Sequence, residues 1–352
     1  MATPDPEDMA QKGPHTSPAA GLSQLLRGSL VTQLIHVAAT LGVADLLRGG
    51  PKSSHELAAS LRVDPEAMYR VLRALASLGI FEETDPRRFA LTALGQPLRS
   101  DVPGSLRGSA MLYGERWWWQ ACGELLHSVR TGQPAFDHVH GKALFAYLDH
   151  AADAAAIFND HQTNMTKQDA AAVVSAYDFR ECARVVDVGG GHGALTAAIL
   201  KACPWTTAVL FDQPAVIEGA RERLHAEGVI DRCTCIAGDF FDSVPEGGDA
   251  YVLKDIVHDW DDDRAMAILL NCRRVMAHTP VTTTRVLVVE KVIPPGNAPF
   301  PGKLTDITML LVTGGRERTA KEYEALLTGA GLALTRIVPT TSPASVIEAV
   351  PG

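Results

Sequence analysis

Two stretches of this chain carry residue types that could do chemistry in one place. "LKDIVHDWDDD" (253–263) ends an apolar run on Lys254 and sets His258 four residues on, with Asp259 and Trp260 directly behind it. A histidine where a strand gives out can belong to a helix cap or act as a general base, and its ordinary pKa near 6.5 suits the second role. "VVDVGGGHGALTAAIL" (185–200) runs from a β-branched strand through glycines into a helix. Such a turn lets backbone amides approach a ligand closely. Gly189, Gly191 and Ala194 satisfy the loose dinucleotide pattern GxGxxG/A. Asp187, just before them, faces a cationic or hydroxylated ligand better than a pyrophosphate. "LFDQP" then brings Asp212, an acid placed to accept both hydroxyls of a ribose. "GDFF" puts Asp239 beside Phe240, an acceptor for an exocyclic amine and a ring for the face of an adenine.

These groups need a scaffold that delivers them to one edge. From residue 180 on, "RVVDVG", "TAVLFD", "CTCIAGD", "AYVLKDIV" and "RVLVVEKVI" alternate with helical stretches, the pattern of a parallel sheet covered on both faces. "LALTRIVPT" and "SVIEAV" close it as an antiparallel hairpin. Five parallel strands and a closing hairpin differ from the dinucleotide-binding layout. Every candidate group falls at the carboxyl end of its strand, the edge where open α/β sheets bind ligands.

The front of the chain is helical. Ser53 or Ser54 can cap one helix, Asp64-Pro65 starts the next, and "FEETDPRRFALT" reads as a hairpin around Asp85-Pro86. Helix, turn, helix, hairpin is a winged-helix layout. The second helix offers Arg70 and Arg73 but also Glu66, and is otherwise mostly apolar, which suits a packing or dimerising module better than base reading. A helical connector follows. It contains Trp117, Trp118 and Trp119, whose side chains leave a helix about 100° apart, so at most one or two can face a pocket.

At 352 residues the chain suits two domains, and a net charge of −9 argues against broad attraction to nucleic acid or anionic membrane. No apolar run has the length of a membrane span, and the first residues show no secretory pattern, so a cytoplasmic protein is expected. The six cysteines contain no CxxC pair; buried thiols are expected, with no disulfide framework and no metal site. Asp261, Asp262 and Asp263 read as the cap and first-turn acids of a helix.

"VVDVGGGHG", "LFDQP", "GDFF", "LKDIVHDWDDD", "VVEKVIPP" and "GGRERTAKEYE" stand in the order and spacing of a known family. The chain resembles S-adenosylmethionine-dependent O-methyltransferases of the plant caffeate/flavonoid, hydroxyindole and bacterial polyketide-tailoring type. The resemblance implies an α/β fold: a Rossmann-like class I methyltransferase domain with a mostly parallel seven-stranded sheet and a C-terminal hairpin. A winged-helix-like dimerisation domain would precede it. Implied boundaries are the dimerisation domain (22–104), a connector lining the substrate pocket (105–176) and the catalytic domain (177–352), and the Pro, Asp, Ser and Gly content of residues 1–21 suggests a disordered tail ahead of them.

By the same resemblance S-adenosyl-L-methionine would meet Asp187, Gly189, Gly191, Asp212, Asp239, Phe240, Lys254 and Thr166. His258 would be the catalytic base, flanked by Glu290 and Glu317. An aromatic substrate would meet Trp118, Phe158, Gln162 and Asp259, and two copies would form a homodimer. Gln162 departs from the family, which often places methionine there, and implies a more polar pocket. N- or C-methylation, a cofactor-retaining hydroxylase-like reaction and a winged-helix regulator stay open as alternatives. His161 and His192 carry no assignment.

Moving a proton from an unperturbed phenol to an unperturbed histidine costs roughly 5 kcal/mol, from pKa values of about 10 and about 6.5. A carboxylate on the other ring nitrogen would narrow that gap.

Overall fold

The computed structural model describes residues 17–278 and 284–352. The expected disordered tail lies outside these as far as residue 16. Its last residues are helical instead: α1 spans Pro18–Leu26, with Ser17 capping it through Ala20 N–H at 3.2 Å and Pro18 in the first turn. Among the described residues no helix is long and apolar enough to cross a membrane.

The chain divides into two compact units. The first ends at Val102 and takes in Ser109–Glu115; the second holds Pro103–Gly108 and Arg116–Gly352. In the first, α1 is followed by α2 (Gly28–Thr40), α3 (Val43–Leu46), β1 (Lys52–Ser53), α4 (Ser54–Leu61), α5 (Pro65–Ser77), β2 (Phe81–Asp85) and β3 (Arg88–Leu91). Ser53 and Glu56 form a capping box on α4, and Asp64 caps α5 with Pro65 behind it. The three strands pair antiparallel in the order β1-β3-β2. Leu57, Met68, Leu72, Leu75, Phe81 and Phe89 fill the space between helices and sheet. The apolar face of α5 is thereby spent on this core.

The second unit opens with short helices. After α6 (Arg107–Leu112), which straddles the division, come α7 (Arg116–Gly123), α8 (Leu125–Thr131), α9 (Ala135–His140) and α10 (Leu144–Leu148). The long α11 (Ala152–Ala176) leads into β4 (Arg184–Val188), α12 (Ala194–Ala202), β5 (Thr207–Asp212), α13 (Pro214–Ala226) and β6 (Cys233–Ala237). Next are β7 (Ala250–Lys254), α14 (Asp262–Met276), β8 (Arg285–Ile293), α15 (Gly302–Val312), β9 (Arg318–Thr319), α16 (Ala320–Gly329), β10 (Leu332–Pro339) and β11 (Ala344–Pro351).

The sheet runs β10-β11-β8-β7-β4-β5-β6, and the short β9 pairs beside β8. From β8 to β6 the strands are parallel, while β11 runs antiparallel to β8 and β10. Alternate strand residues feed opposite cores, as period two demands. Val186, Tyr251, Leu253 and Val288 pack with Ile268 of α14 and Leu327 of α16. Val185, Val252, Leu287 and Val289 pack with Val173 of α11 and Ile199 of α12. Because β7 and β5 leave β4 on opposite sides, the chain turns both ways there and opens a crevice at the strands' carboxyl ends.

Candidate active site

The crevice is a cavity of about 760 Å³ between the ends of β4–β7 and α11. Eight residues expected to meet a cofactor line it: Asp187, Gly189, Gly191, Asp212, Asp239, Phe240, Lys254 and Thr166. Phe158, Gln162 and Asp259 line it as well. Trp118 does not. Its ring is buried edge-on against Trp117, which also packs on Phe136 and Tyr147, so the first two tryptophans of the run serve the packing of the short helices.

The glycine turn is shaped for close approach. A Cβ on Gly190 would lie 2.3 Å from Leu210 Cδ1 and 2.7 Å from Asp187 Cγ, so any side chain there would collide with the turn's own supports. Asp187 is fully buried. Its Oδ2 accepts from Thr196 Oγ1 at 2.5 Å, and its Oδ1 has no partner among the described residues. Burial pushes its pKa up to about 6. Asp212 accepts the amides of Gly191 and Gln213, each at 2.7 Å, and burial raises its pKa too. The exposed Asp239 accepts Phe241 N–H at 2.8 Å. An orphaned buried oxygen and further carboxylates at successive strand ends, around a glycine cradle, fit a ligand with an ammonium group, a ribose and an amino-purine.

Lys254 ends β7 with its ammonium held by Asp169 of α11 at 3.2 Å and by Asp255. Burial opposes the charge, yet those two carboxylates keep the lysine pKa above its ordinary value. Asp255 takes a left-handed backbone, φ 52°, and turns the chain toward His258. β8 outlasts β7, whose last residue pairs with Val289, so Glu290 sits under the returning segment. Glu290 Oε1 accepts the amides of Ile256 at 3.1 Å and His258 at 3.0 Å, and Oε2 accepts from Tyr323 Oη at 2.5 Å. Expected as an acid flanking the base, Glu290 hydrogen-bonds the backbone amide of His258 and adds its charge to those that favour the imidazolium. Burial raises its pKa.

Glu317 meets the ring itself: its Oε1 lies 3.0 Å from His258 Nδ1. On the other side Asp259 Oδ1 lies 3.8 Å from Nε2, beyond hydrogen-bond range but within Coulomb reach. Burial disfavours a charged imidazole, but Asp259 and Glu317 outweigh it and hold His258 up to about 10. Burial in turn raises Asp259 to about 7, against the pull of His258. His258, Glu290 and Glu317 are not among the cavity-lining residues. Glu317 is wholly shielded, whereas the His258 side chain keeps 7% exposure next to the lining residue Asp259.

Sequence reading missed four supports. Arg318, wholly buried, donates to Val257 O (3.1 Å), Trp260 O (3.0 Å) and Asp262 Oδ1 (2.8 Å), pinning the segment around His258. The buried Asp169 and the partly buried Asp255 and Lys291 complete the charge cluster. A lone acid in the alanine-rich "KQDAAAVV" was the one readable hint, for Asp169. Arg264 lines the cavity, its guanidinium 4.3 Å over the Trp260 ring and 4.6 Å over Phe241. His161 is buried, which lowers its pKa to about 4; His192 lines the cavity, its Nδ1 3.5 Å from Thr163 Oγ1.

Gly315 touches the same segment from outside. A Cβ there would fall 2.0 Å from His258 O and 2.4 Å from Asp259 C. Gly315→Ala must therefore displace the backbone under the imidazole, at a cost of about 1–3 kcal/mol. We expect turnover to fall while affinity for the ligand of the glycine turn holds, since that turn lies elsewhere. Steady-state kinetics beside calorimetric titration would check this, and an unchanged kcat would refute it.

Residues 122–333 match the O-methyltransferase domain and residues 23–101 the O-methyltransferase dimerisation domain. The chain belongs to the O-methyltransferase family and is an S-adenosylmethionine-dependent methyltransferase with an N-terminal dimerisation domain. Among its relatives is the phenazine O-methyltransferase PhzM of Lysobacter antibioticus, 45% identical over 94% of this chain and 95% of that protein. Another is the phenazine-1-carboxylate N-methyltransferase of Pseudomonas aeruginosa, 34% identical over 91% and 93%. A solved O-methyltransferase from neocarzinostatin biosynthesis, in complex with S-adenosylmethionine and 2-hydroxy-5-methyl naphthoic acid, superposes with TM-score 0.78 at 31% identity, covering 92% of this chain and 96% of that one.

Proposed function

We propose that this methyltransferase alkylates a phenolic or enolic hydroxyl of an aromatic or polyketide-type small molecule, with His258 as the general base. The observation that carries the reading is the imidazole set between Glu317 and Asp259 at the carboxyl end of β7. Those carboxylates make the imidazole a stronger base than a free histidine, which narrows the roughly 5 kcal/mol gap between unperturbed groups, and the ring must begin each turnover neutral. When bound, S-adenosylmethionine supplies an electrophilic methyl group on a positively charged sulfur.

The chain's own residues do the rest. Asp187, Lys254, Thr166 and the glycine turn would hold the amino-acid end of the cofactor, Asp212 the ribose, and Asp239 with Phe240 the adenine. The acceptor hydroxyl would pass its proton to His258 Nε2 beside Asp259, while Glu317 fixes the ring through Nδ1. Phe145, Phe158 and Trp260 give the cavity flat apolar walls for an aromatic acceptor, and Gln162 adds a polar contact. A phenazine O-methyltransferase, and an O-methyltransferase solved in complex with a hydroxy naphthoic acid, support that class. Leu22, Leu25, Leu26 and Leu30, all exposed on α1 and α2, support a homodimer through the dimerisation domain. A cytoplasmic enzyme fits this reading.

The test is transfer of a labelled methyl group from S-adenosylmethionine to a panel of phenols and aromatic amines. Label in an ether linkage, dependent on His258, supports the proposal. Label on nitrogen alone would instead align the chain with its N-methylating relative.

A further inference from the structure

Lys291 follows Glu290 on β8 and has no part in the mechanism above. Its side chain is 13% exposed, and its ammonium lies 3.6 Å from Glu317 Oε1, the same oxygen that meets His258 Nδ1. It also lies 3.9 Å from Asp255 Oδ1. The second buried ammonium, Lys254, is already held between Asp169 and Asp255. Glu317 Oε2 has no hydrogen-bond partner among the described residues, so the two cations share the pull of Oε1.

We propose that Lys291 sets the basicity of His258 by competing with the imidazole for Glu317 Oε1. This rests on His258 being the base. Four carboxylates crowd the segment: Asp255, Asp259, Glu290 and Glu317. An imidazole facing them without an opposing cation would keep its proton too firmly to accept one from a substrate. Lys291 is therefore a positioning residue, acting through a carboxylate and touching neither substrate nor cofactor.

The charges around it come from every neighbouring element. Lys254 ends β7 and Asp255 follows it, Glu317 lies before β9, Glu290 on β8, and Asp169 and the neutral His161 on α11. Asp306 of α15 accepts the Glu317 amide at 3.0 Å, and Tyr323 of α16 caps Glu290. Against burial, Asp255 and Glu317 hold the lysine charged and its pKa well above the ordinary value.

The direct readout needs no substrate. Histidine-labelled protein saturated with S-adenosylhomocysteine would be titrated by NMR, with His258→Ala assigning the His258 signal. In Lys291→Met and Lys291→Gln the His258 midpoint should rise by roughly one unit, so the neutral fraction at a given pH falls about tenfold. Lys291→Arg should titrate like wild type. With the phenol found in the methyl-transfer panel, the rising limb of log kcat/KM against pH should move the same way. A merely structural lysine would lower turnover at every pH without moving either. An unmoved His258 midpoint in both neutral variants would overturn the proposal and leave the base assignment standing. A shifted midpoint, with His258→Ala turning over like wild type, would reject the base assignment and with it any catalytic part for Lys291.

Discussion

Alanine at His258 is expected to lower kcat by ~10²–10⁴-fold, the usual contribution of a positioned proton acceptor, and to leave S-adenosylmethionine binding nearly intact. The split follows from where the groups stand. Asp187, Asp212, Asp239 and the glycine turn line the cavity and make no hydrogen bond to the imidazole, whereas His258 is held from behind by Glu317. Single-turnover transfer of labelled methyl, with calorimetric titration of the cofactor, separates the two effects. Full turnover in the variant would sink the base assignment; lost binding would show that the ring supports the cofactor site. His258→Gln is a useful partner variant, since it can still meet Glu317 but cannot accept the proton.

The second large effect is expected at Glu290, on stability first and turnover second. Glu290→Leu strands the amides of Ile256 and His258 and the hydroxyl of Tyr323, two of them buried and the first partly buried. At about 1–3 kcal/mol per stranded donor, the loss comes to roughly 3–9 kcal/mol, a large share of an ordinary domain's stability. Glu290→Gln keeps a carbonyl oxygen for the amides and should lose far less. If Glu290 worked mainly through its charge, Gln would be as inactive as Leu while folding well. Thermal unfolding of the two variants beside their kcat decides between these roles.

Much of this site was legible because its chemistry is local to strand ends. Asp187, Asp212, Asp239 and Lys254 each close a short apolar run or follow it at once, and a parallel sheet delivers all such ends to one edge. The buried charges were not legible, because register joins them. Lys291 meets Glu317 only because β9 lies beside the end of β8, with Val292 opposite Arg318. Spacing marked Glu290 as a carboxylate near the base, and only the register of β7 on β8 tells that it reaches an amide and not the ring. Trp118 failed on helical phase, since three adjacent tryptophans point three ways and sequence does not tell which way the pocket lies. The start of α1 was overruled by composition, although Ser17-Pro18 is itself a helix-opening signature.

Trp260 has a practical meaning beyond the wall it helps to form. The chain has five tryptophans, and of these Trp260 alone lines the cavity, pressed between Arg264 and the edge of Phe241. Indole emission responds to nearby charge and to stacked rings, so occupancy of the crevice should register in the protein's own fluorescence. Trp260→Phe should abolish that signal and leave the steady background of the other four. Such a probe would let aromatic compounds be screened for binding by light alone, before the true acceptor is known and without waiting for any of them to be methylated.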